Sequence, residues 1–170
     1  MKKIVFAAIA AAICITSCKD ATPDKNSDAK KNIAISHAIN TAFETGDVNG
    51  IDSMVADNYL DHTDHGDKKG RDSLKAMVKF YYTNFKNMKT EKIREVADED
   101  YVWSWMHYSG TSDGTAGAPK GPYEMKGIEI TRFKAGKAVE HWGFMDLQDM
   151  MKIIAQPMNN APKMDTAIIK

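Results

Sequence analysis

Gly127-Ile128-Glu129-Ile130-Thr131-Arg132-Phe133-Lys134-Ala135-Gly136-Lys137-Ala138-Val139-Glu140-His141-Trp142 is the stretch on which the fold turns. Two β-branched, aromatic-ended segments flank the Gly136-Lys137 pair, the pattern of two antiparallel strands joined by a tight turn. Working outward, residues 89–98 and 101–110 are also β-rich, so strands are expected over 89–98, 101–110, 122–133 and 138–146. The insert Gly110–Pro122 holds four glycines and two prolines and reads as a long loop between strands.

Upstream the period changes to that of helices. Ile33, Ala34, Ala38, Ala42 and Phe43 recur on one face between Ala29 and Phe43, and Gly46 stops that helix. Asp47 can cap a shorter helix through Ile51, Met54 and Val55. A third helix follows Gly70, with Asp72 in its first turn and Leu74, Met77, Val78, Tyr81 and Phe85 as its buried stripe. Between them, residues 58–69 are polar and turn-rich, with a short strand at Tyr59-Leu60. Leu147 to Ile154 forms a last amphipathic helix, and the tail, residues 156–170, is loose. Helices followed by a curled antiparallel sheet make an α+β fold, a cone whose open end offers a small-molecule cavity.

The amino end directs the chain elsewhere. Met1-Lys2-Lys3 precedes an unbroken apolar run from Ile4 to Ile15, then Thr16-Ser17-Cys18. That is the layout of a secretory signal peptide, too short for a comfortable membrane span of about 20 residues. Ile15-Thr16-Ser17-Cys18 resembles the lipobox of bacterial lipoproteins, whose cysteine is acylated and becomes the new amino terminus. Lys19-Asp20 faintly resembles the charged surface-export signals of Bacteroidetes-type lipoproteins. Of the two cysteines, Cys14 would be discarded with the signal, leaving Cys18 alone and no internal disulfide. Residues 1–17 are thus expected as signal, 18–30 as a polar tether, 31–155 as the pocket domain, and the cell envelope as the location. Lysine plus arginine equals aspartate plus glutamate, 23 each, and the signal takes two lysines with it. Without a basic excess, nucleic acid is not an expected partner.

Three stretches together resemble the SnoaL-like polyketide cyclase family of the nuclear transport factor 2-like superfamily. They are Tyr59-Leu60-Asp61-His62 with Gly70-Arg71-Asp72-Ser73-Leu74, then Gly127 to Phe133, then Gly136 to Trp142. The resemblance runs from about Ile33 to Ile154 and implies a curved sheet wrapped around N-terminal helices, cystatin-like in outline. It also implies a general acid/base aspartate after the tryptophan and a histidine in the Gly-Ile strand. Those positions are Gly143 and Glu129 here, and glycine moves no proton, so the usual cyclase mechanism is not available.

The candidates for chemistry are Glu129, His141 and His62. Glu129 is implied to face the cavity, with Ile128 and Ile130 turned away, and His141 shares its strand face with Gly143. The bland alternatives are an exposed, ion-paired Glu129 and a structural His141. His62 matches the family's pocket-rim histidine. The run Asp61 to Asp67 packs two histidines and three aspartates, but no ligand from another element accompanies it, and no metal or cofactor is expected. Ligand contacts are expected from Tyr59, Trp105, Met125 and Gly143. On the strand 101–110, Trp103, Trp105 and His107 share one face and Ser104, Met106 and Tyr108 the other, and either set can line the cavity. Trp142 and Phe144 suit a core or homodimer face. These features describe an exported lipoprotein that binds a small, mostly apolar molecule, with cofactor-free acid/base chemistry on it. The alternative, which Gly143 favours, is a non-catalytic binding or interaction module of the envelope.

Overall fold

The computed structural model describes residues 25–63, 66–115 and 117–159. The signal segment, Cys18 and His65 therefore lie outside the described residues. Along the chain run α1 (Lys25–Thr45), α2 (Ile51–Met54), β1 (Val55–Thr63), β2 (Gly66–Lys69), α3 (Arg71–Asn84), β3 (Phe85–Ala97), β4 (Tyr101–Ser112), β5 (Gly121–Lys134), β6 (Lys137–Met145) and α4 (Leu147–Asn159). The strands form one curved sheet in the order β2-β1-β6-β5-β4-β3. Every pair is antiparallel except β1 with β6, which is parallel. The α+β reading holds, with that one parallel pair added.

The elements outgrow their sequence-based limits where neighbours supply hydrogen bonds. Pairing with β6 and β2 turns the polar stretch around Tyr59-Leu60 into a nine-residue strand. Continued pairing of Ser112 with Gly121 likewise shortens the glycine-rich loop. Residues 25–30, expected in the tether, form the first turns of α1, where Lys31 bonds Asp28 across one turn. At the other end, residues 156–159 continue α4.

The two-residue period of the strands sorts their side chains. On β4, Val102, Ser104 and Met106 are buried while Trp103 and Trp105 are exposed, so the even-numbered face is the inner one. α1 and α3 lie across that concave face, and Ile51, Val55, Leu74, Val78, Val102, Phe133 and Ala138 form the main core. Leu74 and Val78 are one helical turn apart, and each contributes about 2 kcal/mol through burial. A smaller cluster of Phe85, Tyr123 and Ile153 seats α4. The helices cover one part of the concave face. The rest is the wall of a cavity.

Candidate functional site

The cavity has a volume of about 340 Å³, at the small end for organic ligands. One wall comes from α1 and α3, including Asn40, Phe43, Met77 and Tyr81. The other comes from the inner positions of the sheet: Tyr59 and Asp61 on β1, Tyr108 on β4, Met125, Glu129 and Thr131 on β5, and His141 and Gly143 on β6. Strand register brings the polar members together. Asp61 pairs with His141, which pairs with Thr131, and Glu129 sits between Ser104 and Gly143.

At the centre, His141 Nδ1 donates to Asp61 Oδ1 at 2.8 Å. Asp61 is only 3% exposed, so this carboxylate is shielded from solvent by the sheet and the imidazole. Because a carboxylate can only accept, Nδ1 carries the proton, and Nε2 is the nitrogen left to exchange one. Burial pulls the His141 pKa down, but the Asp61 bond and the charges of Glu129 and Asp61 outweigh it and hold the pKa above 6.5.

Glu129 is half-buried, and Asn40 Nδ2 donates to its Oε2 at 3.2 Å. Beside it the Tyr108 hydroxyl is buried without a hydrogen bond of good geometry. Burial, then the Glu129 carboxylate, pushes the Tyr108 pKa far up. Tyr59 is raised for the same first reason, with Asp61 and Glu129 adding to it. Both phenols stay neutral and can donate or accept.

Tyr59, Met125, Glu129, His141 and Gly143 thus all line the cavity. Trp105 needs correction, and His62 is held at the rim by bonds of its own. Trp105 is 47% exposed on the convex face and makes no part of the wall, because the inner face of β4 is the one carrying Ser104 and Tyr108. His62 borders the cavity, with both ring nitrogens engaged by carboxylates. It bridges Asp67 through Nδ1 and Glu140 through Nε2, each at 2.9 Å, and stacks on Trp142 at 5.0 Å. Two carboxylate acceptors require both ring protons, and its pKa is raised, first by Glu140. His62 braces the strands between Asp67 and Glu140, which engage both of its ring nitrogens. Among the described residues no cluster of histidine, cysteine, aspartate and glutamate could hold a metal ion.

Asp61 is the residue that sequence reasoning missed. The signal was present: Tyr59, Asp61 and Thr63 share one strand face, while Tyr59 and His62 cannot. The family pattern drew attention to the histidine, and strand parity selects its neighbour. Gly143 is a second point of interest. A side chain there would meet only ordinary contacts, His141 Cε1 at 3.7 Å and Met145 Cε at 3.8 Å. Neither backbone conformation nor crowding requires glycine, so its effect is to widen the cavity beside His141.

The sequence model of the SnoaL-like polyketide cyclase family matches residues 33–154. No curated protein matches the chain. Similar solved structures include TsrD from Streptomyces laurentii, 19% identical with a TM-score of 0.65, covering 74% of this chain and 95% of that one. A SnoaL-like polyketide cyclase from Agrobacterium tumefaciens is 14% identical with a TM-score of 0.64, over 72% and 97% of the two chains. An LEH-like epoxide hydrolase from M. tuberculosis is 12% identical with a TM-score of 0.63, over 78% and 96%. At such identities the likeness establishes the fold and leaves the chemistry to the residues.

Proposed function

Because the chain belongs to the SnoaL-like polyketide cyclase family, yet holds glycine where that family's acid/base aspartate is expected, we propose that its chemistry has moved to the Asp61–His141 pair. The cavity binds a small, mostly apolar molecule, and His141 Nε2 transfers a proton on it. Asp61 holds the imidazole in the tautomer that leaves Nε2 facing the ligand, and Glu129 supplies a second carboxylate. The observation that carries this reading is a buried carboxylate bonded to a histidine that opens on a cavity with a mostly apolar lining.

The test starts with molecules released from the purified chain, identified by mass spectrometry and returned to the protein in deuterated water. The wild type is expected to convert the molecule or label it with deuterium. His141→Gln, which can still donate to Asp61, should bind it and react at least about a hundredfold more slowly. Recovery of the molecule unchanged and unlabelled from the wild type would leave a non-catalytic binding module, the reading that Gly143 favours.

The location belongs to the same proposal. The cationic, apolar and Cys18-ended start supports an envelope lipoprotein with this domain on a tether. Among the described residues no helix is long and apolar enough to cross a membrane. Intact-mass analysis of the native chain is expected to show an acylated product beginning at Cys18, and a Cys18→Ala chain that is still acylated would refute the anchor. The convex face supports a homodimer. Trp103, Trp105, Ile128 and Phe144 are all close to half exposed and lie in adjacent cross-strand rows of the sheet, a larger apolar patch than a solvated face needs.

A further inference from the structure

The charge of the ligand can be read from what the cavity lacks. No lysine or arginine is among the described residues lining it. Asp61 receives the Nδ1 proton of His141, and His62 at the rim is balanced by Asp67 and Glu140. Among the described residues, Glu129 is met by the neutral amide of Asn40 and by the neutral phenol of Tyr108 beside it. Whether His141 is protonated or neutral, the lining carries an excess of negative charge. A carboxylate in an apolar cavity is costly unless a counter-charge reaches it.

Two neutral phenols stand at the same place. Tyr59 is 2% exposed and lines the cavity within the field of Asp61 and Glu129. The Tyr108 hydroxyl is buried beside the Glu129 carboxylate, without a hydrogen bond of good geometry to it. A neutral carbonyl ligand could accept from both hydroxyls but would bring Glu129 no positive charge beyond the one His141 shares with Asp61. An anionic ligand would add repulsion. A ligand with N–H donors and a positive charge can reach all three groups, since a phenolic oxygen can accept as well as donate.

We propose that the cavity takes an organic amine, its ammonium group held by the Glu129 carboxylate and the hydroxyl oxygens of Tyr59 and Tyr108, with its apolar body against Phe43, Phe85 and Met125. The aromatic rings around the carboxylate add cation–π attraction in a poorly solvated space. This inference rests on the reading of the cavity as a ligand site and specifies the class of ligand.

Titration calorimetry of the full chain with phenylbutylamine, phenylbutanol and phenylbutyrate separates the possibilities, since the three share one apolar body and differ in head-group charge. The amine should bind about tenfold more tightly than the alcohol, with the carboxylate weakest. Glu129→Gln keeps the shape and removes the charge, so it should bring the amine to the level of the alcohol. Equal or tighter binding of the alcohol or carboxylate by the wild type overturns the inference and leaves the cavity reading standing. Persistence of the amine preference in Glu129→Gln overturns it as well. Failure of all three to bind removes the cavity reading and the inference with it. Should Glu129→Gln not fold, the wild-type series decides alone.

Discussion

Replacing His141 by alanine is expected to destabilise the fold by about 3 kcal/mol, measured as a shift of the urea midpoint at unchanged slope. The cause is the carboxylate left behind. Asp61 is 3% exposed and would lose the imidazole that donates to it at 2.8 Å. Breaking one side of a buried pair costs about 3–5 kcal/mol, and the lower end applies because the His141 side chain is 22% open to the cavity, where water can enter. Asp61→Ala should cost less, since a lone imidazole can shed its proton and become neutral. The double variant should cost clearly less than the sum of the two singles, and simple additivity would show that the residues do not act as a pair.

The same variant changes how stability follows pH. The folded-state pKa of His141 is raised above 6.5, so its contribution is complete below about 6.5 and is lost as pH rises through the higher folded value. His62 is raised too and adds a contribution of the same sign. On the acid side, the bond from His62 and the Arg132 guanidinium hold Glu140 below 4.5. Glu95 also lies below 4.5: burial opposes the shift, and Lys92, His37 and Ser104 outweigh it. Those contributions are present above 4.5 and fade as pH falls through the lowered values. These four groups place the stability maximum between about 4.5 and 6.5. In His141→Ala the alkaline decline should shrink to the share of His62.

Gly46→Val is expected to cost about 3 kcal/mol, for two separable reasons. Gly46 ends α1 with its N–H on the Ala42 carbonyl at 2.8 Å, and its φ of +73° is left-handed. A β-branched residue in that conformation is strained by about 1–2 kcal/mol. Its Cβ would also fall 2.6 Å from Cδ1 and 2.7 Å from Cγ of Tyr82, so the whole ring must move, for about another 1–2 kcal/mol. Placing the valine in a Tyr82→Ala background should recover the second part and leave the first. Full recovery would mean that backbone conformation is not the reason for glycine at this position.

Much of the fold was legible in the sequence because its signals are local. The apolar stripe of α3, the Gly46 stop and the Gly136-Lys137 turn each depend on neighbours a few residues away. The extent of β1 was hidden, because its polar residues become a strand only when β6 and β2 lie beside them. The inner face of β4 was hidden for a related reason. Ser104, Met106 and Tyr108 are no more apolar than Trp103, Trp105 and His107, so hydrophobicity alone could not choose between the sets. The helices chose, by covering the concave side.

By itself the sequence determined the class of fold, the facing of Glu129 opposite to Ile128 and Ile130, and the shared face of His141 and Gly143, since strand alternation needs no partner. Tertiary structure alone decided which carboxylate meets which imidazole. Asp61 and His141 are eighty residues apart and meet through the parallel register of β1 with β6. The same register sets His62 between Asp67 and Glu140. No local pattern records such a pairing, because it is a property of the sheet rather than of either strand.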